Sequence, residues 1–403
     1  MCQHCDDQSS DLSHKISRRT LIGGGASLVA ASSLSGSMLG MAGSALAAGE
    51  SQSVAAPEIK AHGWGMMAPG EKLRPFDYVH RSMRPDDIVV DIMYAGICHS
   101  DIHFGHGDWR KFDYLLVPGH EIVGRVTHVG PSVSRFRVGD IAGVGCMVDS
   151  CGECEYCRAG LEQYCVKSPT LTYGRNRDRS LTYGGYADRI VLNERFGIKI
   201  PQGMDLRSAA PIMCAGITTF SPQQYYNIQE GQRVGVIGLG GLGHMALKLL
   251  TARGAEVTVF TTTEAKRTDA LRMGARDVMV WSEASNRKDF KPYYRQFDYI
   301  ISTVPYQFNV NMFIPLLRFE GTLINVGVIG DMGTVNGGLL VDGRKTLTGT
   351  MIGGIPETQE VVNYCAERNI RPEVEMISID QLNEAWDQVV AKKARYRFVI
   401  DMT

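Results

Sequence analysis

The sequence predicts a two-domain α/β protein, a β-rich, partly barrel-like domain followed by a doubly wound parallel sheet. Two patterns predict it. From about Val54 to Pro201, short β-type runs such as Ile88-Val89-Val90-Asp91-Ile92 and Ile122-Val123-Gly124-Arg125-Val126 are broken by Gly, Pro and Asp turns. From about Asp205 to Gly343, apolar strands alternate with helix-length segments: Val234-Gly235-Val236-Ile237, Val257-Thr258-Val259-Phe260, Asp298-Tyr299-Ile300-Ile301 and Thr322-Leu323-Ile324-Asn325-Val326. Such alternation implies a parallel sheet with crossover helices. The remainder is mixed, with a helix expected from about Pro356 to Arg368 and a closing apolar run Phe398-Val399-Ile400. The expected boundaries are 54–204 for the first domain, 205–343 for the second and 344–403 for a return to the first.

Composition supports an ordinary globular protein: 403 residues, 44% hydrophobic, 21% charged and 8% aromatic. The 42 basic residues against 43 acidic ones leave a net charge of -1. No global field therefore draws the chain to nucleic acid or to an anionic membrane.

The first 47 residues differ. Ser17-Arg18-Arg19-Thr20-Leu21 precedes a weakly apolar stretch of Ala, Gly, Ser and Leu that runs to Ala45-Leu46-Ala47, a small-x-small cleavage pattern. Paired arginines before a glycine- and serine-diluted segment predict a twin-arginine export signal over 1–47, recognition by that export machinery, and a periplasmic location. A membrane span would need about 20 strongly apolar residues. The competing reading is an ordinary flexible tail.

Export would normally make cysteines a disulfide framework. Their spacing argues for metal instead. Cys151-x2-Cys154-x2-Cys157-x7-Cys165 places four thiols within fifteen residues, with Gly152 and Gly160 where the backbone must turn to converge them. Zinc favours a closed tetrahedron of sulfurs in structural sites, which leaves no position for substrate. Two disulfides or four buried free thiols are the alternatives.

A second constellation is dispersed. Gly96-Ile97-Cys98-His99-Ser100-Asp101-Ile102-His103 is followed by Pro118-Gly119-His120-Glu121 and, much later, by Met213-Cys214-Ala215-Gly216-Ile217-Thr218. Each alone is weak, since a lone cysteine is usually a small core residue. Together Cys98, His120 and Cys214 supply two thiolates and an imidazole, a three-ligand set that leaves a zinc coordination position open for chemistry.

Gly238-x-Gly240-x-x-Gly243 follows the predicted strand Arg233 to Ile237 and precedes a helix-like segment from Leu242 to Ala252. In that context the glycines of Gly238-Leu239-Gly240-Gly241-Leu242-Gly243 predict a Rossmann dinucleotide site: a tight turn, close pyrophosphate approach to backbone N–H groups, and helix-on-strand packing.

With these motifs in this order, the chain resembles the zinc-dependent medium-chain alcohol dehydrogenases over essentially all of 55–403. Gly238 to His244, Ile352-Gly353-Gly354 and Glu357-Thr358-Gln359-Glu360 look most like the cinnamyl alcohol dehydrogenase branch. The resemblance implies a GroES-like catalytic domain joined to the Rossmann domain, two zinc ions per chain, a small-molecule alcohol or aldehyde as substrate, and a homodimer formed through the nucleotide domain. It also implies roles. Cys98, His120 and Cys214 would hold the catalytic zinc, and zinc can lower the pKa of bound water to about 7. Ser100 would hydrogen-bond the reacting oxygen and His103 would end the proton relay. Asp101 would orient His120, and Glu121 would lie near the metal. His99 would reach the pyrophosphate, Thr218 the nicotinamide, and Trp109 would wall the substrate pocket. The plainer readings are caps or turn formers for Ser100, Asp101 and Thr218, a surface histidine for His103, and core packing for Trp109.

Cofactor choice is read at the end of the second strand, where a carboxylate would hold the free ribose hydroxyls of NAD. The chain has Thr261-Thr262-Thr263-Glu264-Ala265-Lys266-Arg267 there. No acid occupies the strand end; Thr261, Thr262, Lys266 and Arg267 stand ready for a 2'-phosphate, so NADP(H) is expected. Glu264 is expected in the first turn of a helix, although turned inward it would favour NAD. The combined expectation is an NADP-dependent dehydrogenase for primary alcohols and aldehydes, aromatic or allylic, acting largely as an aldehyde reductase. The alternatives are a catalytically silent nucleotide- or zinc-binding protein, and an NAD-dependent polyol or formaldehyde-adduct dehydrogenase.

Overall fold

The strand Asp87–Gly96, DIVVDIMYAG, is apolar almost throughout, and Ile88, Val89 and Val90 are fully buried. Such a run belongs in the interior of a sheet, covered on both faces. It pairs antiparallel with Ile122–Val129, with Arg189–Asn193 and with Arg397–Asp401. The computed structural model in which these pairings occur describes residues 58–109, 114–328 and 330–403. The export segment expected at 1–47 lies outside the described residues. Among the described residues the sheet path runs from Gly197–Lys199 through Ile141–Val144, Ile122–Val129, Asp87–Gly96 and Arg397–Asp401 to Val374–Ser378. The C-terminal strand is thus inserted beside the first long one, and chain ends far apart in sequence share one core.

Six described strands form a second sheet in the order Asp277–Val280, Glu256–Thr261, Arg233–Ile237, Phe297–Ser302, Leu317–Asn325, Thr346–Gly349, all parallel. In chain order this is 3-2-1-4-5-6, the doubly wound arrangement, with its switch point between Arg233–Ile237 and Phe297–Ser302. Val234, Val236 and Ile237 are fully buried, as expected of a strand covered by helices on both faces. The sixth strand corrects the expected boundary at 343: Thr346–Gly349 still pairs with Leu317–Asn325. Its sequence, TLTG, is too short and too polar to announce itself as a strand.

The glycine turn sits at the switch point. Gly238 has φ +91°, a left-handed conformation that a side chain would strain. A Cβ on Gly243 would stand 2.0 Å from the Gly238 carbonyl oxygen, so only glycine lets the helix Gly241–Ala252 start so close to the strand it follows. The helix Ile355–Glu367 falls within a residue of its expected bounds and carries Pro356 in its first turn, where the missing N–H costs no helical bond.

Two histidines are buried and neutral in this fold. Burial pushes His80 down to about 4 and His244 down to about 3; His80 Nε2 lies 3.1 Å from the Arg189 carbonyl, and the Glu373 N–H donates to His244 Nε2 at 3.2 Å. A depressed folded-state pKa means that the unfolded chain takes the proton first. The stability these groups contribute is therefore complete above their ordinary value and lost as pH falls. The urea midpoint is expected to be flat down to about pH 7 and to fall progressively from about pH 6.5 to 5, above the carboxylate range. A midpoint unchanged to pH 5 would contradict this.

Candidate functional site

Asp101 is fully buried one turn into the helix His99–His106. It accepts hydrogen bonds from the Cys98 N–H at 2.9 Å, the Gly119 N–H at 3.0 Å and the Tyr186 hydroxyl at 3.0 Å. His120 Nδ1 lies 2.8 Å from Asp101 Oδ1, the oxygen that also takes the Gly119 N–H, with the Tyr173 hydroxyl 3.1 Å from the same ring nitrogen. An Nδ1–H donated to a carboxylate leaves the Nε2 lone pair free and fixes the ring's direction. His120 Nε2 is buried and has no protein partner.

That lone pair meets two sulfurs. Cys98 caps the helix His99–His106, Cys214 precedes the helix Ala215–Tyr225, and their sulfurs are 4.0 Å apart. Ligand atoms of Cys98, His120, Glu121 and Cys214 all lie within 4.8 Å of one another, and all four residues are buried. The Cys98 thiol is held well below its ordinary value, first by its hydrogen bond with Cys214 and also, against burial, by the charge of Arg397. Cys214 is pushed up by its bonds to the Cys146 and Cys98 sulfurs. Two thiols in one dry pocket cannot both ionise without a cation, and an unpartnered imidazole nitrogen points at them. This donor set fits zinc.

The second cluster also converges. Cys151, Cys154, Cys157 and Cys165 offer sulfurs within 4.8 Å of one another, and all four are free thiols. Gly152 and Gly160 take φ +70° and +71° to turn the chain around them. The Cys154 N–H donates to the Cys151 sulfur at 3.4 Å and the Cys151 N–H to the Cys165 sulfur at 3.5 Å, contacts suited to thiolates. The lobe docks on the start of the helix Ile355–Glu367, where the Ile355 N–H donates to Glu162 Oε2 at 3.0 Å.

Around the first cluster, Ser100 Oγ lies 3.7 Å from the Cys98 sulfur. His103 follows on the same helix, its Nδ1 2.8 Å from Asp108 Oδ2 and its Nε2 buried without a partner. Trp109 is half-buried and stacks on the His103 ring at 4.9 Å with 23° between planes, its edge against Phe104 at 5.1 Å. Thr218 is buried in the first turn of the helix Ala215–Tyr225, its N–H bonded to the Cys214 carbonyl at 2.9 Å. Burial pushes His99 down to about 4, opposed by Cys98 and reinforced by Arg397.

Sequence reasoning missed Arg397. It is 3% exposed, its Nη2 is 3.1 Å from Glu121 Oε1, and its Nη1 donates to the Ile97 carbonyl at 3.0 Å. Its guanidinium also occupies the space beside Gly241, where a Cβ would come within 2.6 Å. One buried cation thus joins the sulfur cluster to the start of the nucleotide helix. Its only signal was a cation opening an apolar terminal strand. Cys146, unassigned by its spacing, hydrogen-bonds to the Cys214 sulfur.

At the nucleotide turn, Lys266 Nζ donates to the Leu239 carbonyl at 2.8 Å, and Thr261 is buried at its strand end while Thr262 is exposed. Arg267 departs from expectation. Its guanidinium bonds the Glu264 carboxylate, with Nε to Oε1 at 2.5 Å, and donates to the Val278 carbonyl at 2.6 Å. Glu264 does start a helical turn, Glu264–Lys266, but faces Arg267 at i,i+3. Arg267, expected at the phosphate position, thus carries a local acidic partner.

Replacing Asp101 with Asn removes the charge that orients His120 and is expected to weaken zinc retention at the Cys98 cluster about 10- to 100-fold, read by competition with a chelator. Retention equal to that of the unmodified protein would show that Asp101 is only a helix cap.

Residues 84–202 match the family model described as "Alcohol dehydrogenase GroES-like domain" and 241–367 match "Zinc-binding dehydrogenase". The chain is 46% identical to NADP-dependent alcohol dehydrogenase C 1 of Mycolicibacterium smegmatis, over 82% of this chain and 95% of that one. It is 42% identical to aldehyde reductase YahK of Escherichia coli, over 84% and 97%. Among solved structures, a CAD from Helicobacter pylori complexed with NADP(H) superposes with a TM-score of 0.80 at 36% identity, covering 86% of this chain and 99% of that one. A cinnamyl alcohol dehydrogenase from Sorghum bicolor gives 0.81 at 34%, covering 85% and 97%. With a GroES-like domain, a doubly wound sheet and two convergent thiol clusters, the chain belongs to the zinc-type medium-chain alcohol dehydrogenase family.

Proposed function

We propose that the protein is a zinc-dependent oxidoreductase that interconverts primary alcohols and aldehydes with NADP(H), acts largely as an aldehyde reductase, and prefers aromatic or allylic substrates. The carrying observation is the buried Cys98–His120–Cys214 cluster, with its unpartnered Nε2, the Ser100 hydroxyl beside Cys98, and a His103–Asp108 imidazole–carboxylate pair that begins on the same helix. The names of relatives support the class: an NADP-dependent alcohol dehydrogenase, an aldehyde reductase and, at 40% identity, a probable cinnamyl alcohol dehydrogenase of Arabidopsis thaliana.

Zinc held by Cys98, His120 and Cys214 would supply Lewis-acid polarisation of the substrate oxygen, and the nicotinamide of NADP(H) the hydride. The chain's own residues do the rest. Ser100 stands beside Cys98, where its hydroxyl can hydrogen-bond the substrate oxygen and pass a proton in either direction. His103 takes up or supplies that proton at Nε2, while Asp108 at Nδ1 stabilises the charged ring and Trp109 packs its face. Arg397 balances Glu121, so the carboxylate beside the cluster does not stand as an isolated buried charge. Trp109 and Phe104, with Tyr173 against Phe104 at 5.3 Å, offer aromatic surfaces to a flat substrate. The closed four-cysteine cluster has no position for substrate and acts in folding.

A second reading has one observation behind it: a Bacillus subtilis relative, 43% identical over 92% of its length, is named a probable formaldehyde dehydrogenase. The twin-arginine pattern at Ser17-Arg18-Arg19 supports export to the periplasm, and family resemblance supports a homodimer through the nucleotide domain.

Zinc-replete protein is expected to oxidise NADPH with cinnamaldehyde and benzaldehyde faster than with formaldehyde. Ser100→Ala is expected to lower kcat about 10²- to 10⁴-fold with unchanged metal content. Formaldehyde as the preferred substrate would favour the second reading, and no turnover of NADPH or NADH with any aldehyde would sink both.

A further inference from the structure

The Arg267–Glu264 pair leaves a question of charge. A ribose 2'-phosphate is close to a dianion at neutral pH, and within the turn Thr261–Arg267 Lys266 is the cation without a carboxylate in ion-pair distance. A second cation without an acidic partner comes from the other domain. Lys392 lies in the turn between the helix Leu382–Val390 and the strand Arg397–Asp401. Its ammonium is 4.0 Å from the ring centroid of Tyr306, which follows the strand Phe297–Ser302 at the C-terminal end of the parallel sheet. The Lys392 side chain therefore spans from the β-rich domain to the edge of the nucleotide sheet where dinucleotides bind in such folds.

Arg395 and Tyr396, three and four residues after Lys392, lie against the cofactor-choosing turn. Arg395 Nη1 is 3.4 Å from the Ala265 carbonyl, and Lys266 Nζ is 5.6 Å from the Tyr396 ring centroid. Arg395 is paired with Asp269 at 2.9 Å, as Arg267 is with Glu264. Among the described residues neither Lys266 nor Lys392 has a carboxylate within ion-pair distance. Burial first, then the charges of Arg395 and Lys392, make Lys266 less basic, while Asp269 acts in the opposite sense. Asp269, the nearest acid, is engaged by Arg395 at 2.9 Å and by the Tyr396 hydroxyl at 3.0 Å, which leaves the two ammonium groups available to an anion. The Tyr306 face steadies the Lys392 ammonium without neutralising it.

We propose that Lys392 is a specificity-determining residue that, with Lys266, grips the 2'-phosphate of the adenosine ribose from the opposite side of the domain boundary. The inference rests on the NADP(H) reading and adds a residue that the second-strand motif does not contain. Two ammonium groups from different domains would make phosphate binding and closure of the cleft one event, because each domain supplies half of the countercharge. NADH, lacking the phosphate, would gain nothing from Lys392.

The test is titration of the zinc-loaded protein with NADPH and with NADH, followed by nucleotide fluorescence, for the unmodified chain, Lys392→Ala and Lys392→Gln. Both variants are expected to bind NADPH about tenfold more weakly, the loss of one charge-assisted contact, with NADH affinity unchanged. The unchanged NADH affinity also certifies that the fold is intact. Equal weakening of both nucleotides, or unchanged NADPH binding, overturns the proposal while leaving the NADP(H) reading in place. If the unmodified chain itself binds NADPH no tighter than NADH, the reading beneath it fails, and the proposal with it.

Discussion

A carboxylate with no access to water, holding backbone and side-chain donors from several stretches of chain, is the constraint on which this site depends. Asp101 binds the Cys98 N–H, the Gly119 N–H, the Tyr186 hydroxyl and His120. Those donors come from the start of one helix, from the loop before the strand Ile122–Val129, and from the loop before Arg189–Asn193. A buried charge is tolerated only when its lone pairs are satisfied. Satisfying these ones draws the Cys98 and His120 segments to a single point. The sulfur–imidazole cluster is thus a consequence of packing around a charge as much as of metal binding.

A second buried pair extends the site across the molecule. Arg397 opens the last strand of the β-rich sheet, meets Glu121 at 3.1 Å and lies against Gly241 at the start of the nucleotide helix. Removing either charge would leave the other buried and unpaired, with a penalty of about 3–5 kcal/mol. Return of the chain to the first sheet after the Rossmann segment is what makes this contact possible. Lys392, five residues earlier, reaches the same cleft from the same segment. The C-terminal segment therefore ties the β-rich sheet to the start of the nucleotide helix and to the end of the parallel sheet.

Much of this was legible in the sequence, for reasons that differ by element. Strands such as Val234 to Ile237 and Ile88 to Ile92 are buried on both faces, and burial of that kind writes itself as continuous apolar runs. The four cysteines were legible because three of them recur at a spacing of three between glycines that must turn. Cys98, His120 and Cys214 emerged only together, since each alone resembles a core residue. What escaped depends on tertiary proximity. Arg397 is one cation among 42 basic residues, and nothing near it in sequence announces that Glu121 stands opposite. Arg267 looked available for phosphate because sequence does not show which way a side chain turns; at i,i+3 from Glu264 it pairs locally instead. The strand Thr346–Gly349 was missed because four half-polar residues at a sheet edge carry no periodic signal.

The central claim is a division of labour between two metal positions, one closed by four sulfurs and one left open beside a proton path. Its most direct measurement is anomalous scattering at the zinc edge from crystals of the purified protein. The expected result is two peaks per chain, one enclosed by Cys151, Cys154, Cys157 and Cys165 and one between Cys98, His120 and Cys214. A single peak in the four-cysteine lobe, with Cys98 and Cys214 metal-free in zinc-replete protein, would contradict it.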